Sequence, residues 1–286
     1  MSTAAQVRVV RGGLAWVQDG GRPGRMAQGV PPGGPLAPTL LARANVAVGN
    51  SPDAPAIELL SAIEVAWEGD AASIAEGVAA TDDGAPFALR EPQIVAPRPG
   101  WRVGYLAVAG GFDVPVVLGG RGTLLVAGIG GHHGRSLRAG DRLPVGRQER
   151  APGVDVAPAV PLPPLPDLAA PVPLRWGPDV HRFDARAREQ LLTAAYRTTA
   201  SFDRTGLRLA GPAVPRLDGD GGRSAPMVAG AVQVTAAGEV IVLGPDHPTT
   251  GGYPVVAVLP RVGAERLFAR PAGALVRFCE NGGGDV

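Results

Sequence analysis

Residues 242–254, Val-Leu-Gly-Pro-Asp-His-Pro-Thr-Thr-Gly-Gly-Tyr-Pro, run from an apolar strand into a polar loop pinned by two glycines. Thr249, Thr250 and Tyr253 bring two hydroxyls and a phenol beside Gly251 and Gly252. Glycines can take positive φ and turn backbone N–H groups toward a ligand, so the loop has the makings of a binding element. A second loop of the same character, Val17-Gln18-Asp19-Gly20-Gly21-Arg22-Pro23-Gly24, combines an amide, a carboxylate and a guanidinium.

Familiar catalytic and ligand templates fail elsewhere in the chain. His132 and His133 are adjacent, but no further Cys or His stands at ligand spacing, so no metal site is expected. Asp218 and Asp220 begin like a calcium loop, yet Ala229 occupies the place of the bidentate glutamate. Gly128, Gly130, Gly131 and Gly134 miss the dinucleotide spacing, because His133 stands where the third glycine belongs. There is no Gly-x-Ser-x-Gly elbow. All 27 basic side chains are arginines, which excludes a Walker-type lysine, a Schiff base and covalent biotin on this chain.

The elements that must position the two loops read mainly as β-strands. Apolar alternations punctuated by glycine and proline cover residues 101–109, 114–118, 231–234, 240–243, 255–259 and 274–278. Two helices are predicted. The first spans residues 38–48, with proline in its first turn and Gly49 as its left-handed stop. The second spans about 184–197, with Asp184 as N-cap and an apolar stripe of Leu191, Leu192, Ala195 and Tyr196.

The chain of 286 residues is 45% hydrophobic, ample for one large or two smaller cores. A proline-rich connector at 151–173 divides it into halves at 1–150 and 174–286, each near the usual domain size of about 100 to 150 residues. Acidic and basic counts of 26 and 27 nearly cancel without a basic run, so neither nucleic acid nor an anionic membrane is an expected partner. Cys279 is the only cysteine and reads as a core thiol in a reducing, cytoplasmic setting. Neither a secretory signal nor a bilayer-length apolar run is evident.

Taken in order, the loops resemble the biotin-dependent carboxyltransferase-like, or KipA-like, family. The resemblance rests on residues 17–24, Gly29-Val30, Ala44 to Asn50, Ile57-Glu58, Tyr105 to Pro115, Leu118-Gly119-Gly120-Arg121-Gly122-Thr123, Gly130-Gly131 with Gly134-Arg135, and Ala139-Gly140-Asp141. It continues through Asp203-Arg204, Gly206, Arg208-Leu209, Gly211, residues 230–234 and residues 249–254. It implies a mainly β fold of two tandem cyclophilin-like β-barrel domains with few short helices. It also implies a subunit, inactive alone, of an ATP-dependent 5-oxoprolinase-like amidohydrolase that opens 5-oxoproline to glutamate. The implied partners are a KipI-like subunit and a third subunit, with ATP bound by the complex rather than by this chain. Two neighbouring roles within the family are a regulatory protein that sequesters the KipI-like partner and a carboxyltransferase in a urea carboxylase or allophanate pathway.

On this resemblance Arg121, Asp203 and Arg204 are the catalytic candidates, since arginines can stabilise charge on a carbonyl oxygen. Gln18, Asp19, Arg22, Asn45, Gln233, Thr249, Thr250, Gly251, Gly252 and Tyr253 are candidates for holding an amide or carboxylate substrate. An Arg–Asp pair that fixes a barrel loop explains Asp19 with Arg22, or Asp203 with Arg204, equally well. The chain also departs from the family. Gly33 to Ala37 replace Ser-Gly-Ala-Met-Asp, and Gly120 and Gly122 replace the serines of Gly-Ser-Arg-Ser-Thr. Three hydroxyls and one carboxylate are thereby lost.

Overall fold

The computed structural model describes residues 5–69, 77–146, 161–217 and 223–281. These fall into two compact units: residues up to Pro23 with Gly33–Leu165, and Gly24–Pro32 with the chain from Pro166 onward. Much of the expected connector and the pair Asp218 and Asp220 lie outside the described residues.

In the first unit β1 (Gln6–Arg11) shows why alternation makes a sheet, since Val7 and Val9 are buried while Arg8 between them is not. It lies between β4 (Ile63–Glu68) and β9 (Arg142–Pro144), with β7 (Gln93–Val95) beyond β4. A second sheet orders β2 (Ala15–Gln18), β3 (Ala56–Leu59), β8 (Gly104–Val108), β5 (Val78–Thr81) and β6 (Pro86–Ala88). Side chains of both sheets, among them Val7, Val65, Val17, Ile57 and Leu106, share one apolar core. Helix α1 (Pro38–Ala47) packs on β8, and Gly49 at φ 77 ends it as the sequence requires.

A row of polar side chains crosses the second sheet. Trp16, Glu58 and Tyr105 are cross-strand neighbours on β2, β3 and β8. The Glu58 carboxylate is fully buried and accepts from Trp16 Nε1 at 2.9 Å, Tyr105 Oη at 2.5 Å and the Leu36 backbone N–H at 2.9 Å. Tyr105 Oη in turn accepts from the Ala37 N–H at 3.1 Å, so the row fixes the chain where it enters α1.

The second unit is built on one eight-stranded sheet. Its order is β18 (Leu275–Val276), β11 (Tyr196–Phe202), β12 (Gly206–Ala210), β15 (Val240–Leu243), β14 (Ala231–Val234), β17 (Val255–Val258), β10 (Val172–Trp176) and β19 (Phe278–Glu280). The edge strands β18 and β19 are separated in sequence by Arg277 alone, so the two margins meet and the sheet is a nearly closed barrel. A short ribbon pairs β13 (Ala225–Pro226) with β16 (Thr250–Gly251). The expectation of a mainly β fold with few short helices is met.

Several local expectations are corrected. The second helix is α2 (Ala185–Thr193), and Tyr196 begins β11 instead of closing the helical stripe. The run Tyr-Arg-Thr-Thr favours a pleated, half-buried surface over a helix. A third helix, α3 (Arg261–Phe268), follows Pro260; Val262 and Gly263 are weak helix formers, and its buried face at Gly263 and Leu267 does the selecting. Residues 114–118 form no strand, because Pro115 cannot donate and Leu118 turns the chain at φ 55. Strand signals at 274–278 resolve into β18 and β19, and Cys279 is half-buried on β19 rather than in a core. Asp184 caps α2 as expected, accepting from Ala187 N–H at 2.7 Å. Replacing it with alanine is expected to cost about 1 kcal/mol in urea unfolding, and asparagine to restore most of that.

Candidate functional site

The candidate residues form two groups, one in each unit. In the first, Gln18 ends β2 and donates from Nε2 to the Thr123 carbonyl at 2.7 Å. Asp19 follows; its Oδ1 accepts from Gly21 N–H at 2.9 Å and its Oδ2 from the Arg121 backbone N–H at 2.5 Å. Arg22 is 1% exposed and donates to the carbonyls of Val117 (3.3 Å) and Gly122. Residues 18–22 are thus stitched to residues 117–123, with the Asp19 carboxylate accepting from a backbone N–H on each side. The Arg121 guanidinium reaches the Asp113 carboxylate at 3.2 Å and the Val114 carbonyl while its side chain stays 34% exposed. Of the arginines proposed from sequence, it is the one open to a ligand in this group.

Gly122 shows what the lost serine means. A Cβ there would stand 2.5 Å from Gln18 Oε1 and 2.8 Å from Asp19 Oδ1, so the bare backbone admits both polar side chains. Asn45 stands apart from this group. It lies on α1, donates to the Ala54 carbonyl at 2.8 Å and accepts from Asn50 at 3.1 Å, and so fastens the helix to the loop leading into β3.

In the second unit the Arg204 guanidinium grips Asp246 in two bonds, Nε to Oδ2 at 2.8 Å and Nη2 to Oδ1 at 3.0 Å. Both side chains are 3% exposed, and the Asp246 N–H also donates to the Arg204 carbonyl at 3.0 Å. The partner expected from sequence, Asp203, instead receives the N–H groups of Thr205 (2.8 Å) and Gly206 (3.0 Å) in a side-chain-capped turn. Asp203 also lines a shallow cavity of about 190 Å³ with Thr205 and Arg208.

Residues 249–253 are brought beside Gln233. Gln233 Nε2 lies 3.2 Å from Met227 Sδ and 3.3 Å from the Tyr253 carbonyl. The Thr249 carbonyl accepts from the Met227 N–H at 3.0 Å, while Thr250 and Tyr253 present exposed side chains. Neither Gly251 nor Gly252 takes a positive φ. Gly251 is required by close approach instead, since a Cβ would meet Met227 Cγ at 3.1 Å and Gln233 Nε2 at 3.2 Å.

Sequence reasoning missed Asp246 and His247. His247 is 1% exposed, its Nδ1 lies 2.9 Å from the Pro248 carbonyl, and its Nε2 has no hydrogen-bond partner among the described residues. The signal available was their place between Gly244 and the Thr-Thr-Gly-Gly turn. Arg135, Asp141 and His132 are each visible in the sequence, but their arrangement as a chain of charged groups in the first unit is not. Arg135 binds Asp141 with two bonds at 2.7 and 2.8 Å, and His132 Nε2 lies 3.4 Å from Asp141 Oδ1.

The Arg135 hydrogen bond, aided by the Arg138 N–H, holds Asp141 down at about 2. Burial lowers His132, against the raising effect of Asp141. Because the folded Asp141 value lies below the ordinary 3.8, its contribution is present above pH 4 and lost as pH falls through about 2, a loss of about 2 kcal/mol. Asp141→Asn is expected to remove that portion of the acid limb in urea unfolding between about pH 5 and pH 2. Among the described residues no group of three or more His, Cys, Asp or Glu is placed to hold a metal ion. No described helix is long and apolar enough to cross a membrane.

Residues 28–280 match the family model for the carboxyltransferase domain, subdomain A and B. The chain is 34% identical to the C subunit of 5-oxoprolinase from Escherichia coli (strain K12), covering 96% of this chain and 91% of that one. It is 31% identical to urea amidolyase of Lachancea kluyveri, over 93% of this chain but 16% of the relative. The structure of the K. lactis urea amidolyase superposes with a TM-score of 0.80 at 25% identity, over 97% of this chain and 19% of that one. The chain spans 19% of that solved chain and 57% of another that it matches.

Proposed function

This chain belongs to the family of carboxyltransferase domains with subdomains A and B, and on that premise we propose that it is a subunit of an ATP-dependent 5-oxoprolinase-like amidohydrolase. The match to the C subunit of a 5-oxoprolinase supports the reading most, because it covers nearly the full length of both chains. In this reading water adds to the lactam carbonyl of 5-oxoproline, the C–N bond breaks, the nitrogen takes a proton, and glutamate is released as ATP is hydrolysed. The nucleotide belongs to another subunit, since this chain has no lysine for a phosphate loop. The assembly is completed by a KipI-like subunit and a third one, and the chain is inactive alone.

Arg121 is the residue assigned to charge on the carbonyl oxygen, because its guanidinium remains partly open whereas Arg22 and Arg204 are buried against fixed acceptors. The likeness to urea amidolyase favours a second reading, a carboxyltransferase that receives carboxylate from biotin on another chain. The two separate when the assembled subunits are offered 5-oxoproline with ATP, or urea with a biotinylated carrier. Glutamate formation without carrier supports the hydrolase; carboxylation of urea with no glutamate would replace it by the second reading.

A further inference from the structure

Two turns of the first unit carry apolar side chains in the open. Val117 and Gly120 close the first through backbone bonds of 2.8 and 3.3 Å, and Leu124 and Ile129 close the second through bonds of 2.9 and 3.3 Å. Val116 and Leu118 belong to the first turn, Leu125 and Val126 to the second, and all four are exposed, Val126 to 77%. Leu118 is held at φ 55, a conformation that a branched side chain seldom adopts. Buried Gln18 and Arg22 fix the carbonyls of Val117, Gly122 and Thr123, so this stretch is ordered before anything binds and association costs it little further entropy.

The turns flank one cleft of about 740 Å³, to which the first contributes Val117 and the second Gly128 and Ile129. Clustered apolar side chains left in water mark a contact surface. Asp113 and Arg142 line the same cleft, with side chains 65% and 55% exposed. Each is only partly engaged within the chain. Asp113 Oδ1 accepts from Arg121 at 3.2 Å and Arg142 Nε donates to Glu68 at 2.9 Å. Asp113 Oδ2 and both Nη groups of Arg142 have no hydrogen-bond partner among the described residues.

A free acceptor and a free donor of opposite charge thus border a single apolar surface. A uniformly acidic or basic partner would meet one of them with like charge. A second copy of this chain, turned by two-fold symmetry, meets each with its opposite, because residue i then faces residue j and j faces i. We propose that this face joins two copies of the chain in a two-fold dimer, Asp113 of each pairing with Arg142 of the other and the Val126 tip of each entering the other's cleft. The proposal is independent of the amidohydrolase reading.

Sedimentation equilibrium of the full chain at physiological salt is expected to show a monomer–dimer equilibrium that lies toward dimer at about 100 µM chain. Val126→Asp, which places a charge at the centre of the contact, is expected to weaken the dimer at least about tenfold. Charge reversal gives the sharper comparison. Asp113→Arg and Arg142→Asp each set like charges face to face, so each variant alone is expected to be monomeric. An equimolar mixture of the two restores both ion pairs and is expected to dimerise, which also shows that neither variant failed to fold. A parent chain that stays monomeric at about 100 µM, or a dimer unmoved by Val126→Asp, would overturn the assignment. So would two single variants that are folded by circular dichroism yet do not combine. A monomeric chain that binds a KipI-like subunit, and loses it on Val126→Asp, would give the face to that subunit instead.

Discussion

Arg204→Ala is expected to destabilise the second unit by about 3 to 5 kcal/mol, because it leaves the Asp246 carboxylate buried without its main counter-charge. Asp246→Ala should cost a similar amount. The double replacement Arg204→Met with Asp246→Leu is expected to recover most of the loss, since a buried pair can give way to apolar side chains of similar volume at little net cost. Urea unfolding of the three variants measures this. The comparison also locates the role of Arg204. With both partners 3% exposed, the guanidinium fixes the loop of residues 244–253 onto the turn at Asp203, so activity of the assembly should follow stability across the series. A folded double variant without activity would return Arg204 to the substrate.

Glu58→Ala is expected to cost about 3 to 5 kcal/mol in the first unit. It removes the acceptor from three buried donors at once, Trp16 Nε1, Tyr105 Oη and the Leu36 N–H, and each unpaired group costs about 1 to 3 kcal/mol without full additivity. Glu58→Gln keeps one carbonyl oxygen and is expected to cost about half as much. Urea unfolding read by tryptophan fluorescence reports the change, with Trp16 itself beside the altered site. Equal stability of Glu58→Ala and the parent would show that the row does not anchor the entry to α1.

The resemblance conveyed the family and the barrel, and local pattern conveyed α1, the Asp184 cap and the strands β14 and β15. These features depend on neighbours in sequence: alternation, a proline in the first turn, a glycine at the stop. What escaped depends on distant partners. Arg204 and Asp246 lie in loops joined only when β12 and β15 pair, so the adjacent Asp203 was the more visible partner. Glu58 was noticed as part of a motif, but its role emerges only from the register that sets Trp16 and Tyr105 beside it. The Gly-His-His-Gly run was tested as a metal site, while the group that orients His132, Asp141, belongs to a later turn. Asn45 was grouped with the binding residues by type, yet its amide is committed to the Ala54 carbonyl and Asn50.

The most direct test of the amidohydrolase account is 5-oxoproline-dependent ATP hydrolysis by this chain combined with the proposed KipI-like and third subunits, with each component omitted in turn. The account predicts hydrolysis coupled to glutamate formation only when all three are present. Undiminished turnover when this chain is left out, or no turnover from a stable three-part assembly, would contradict it.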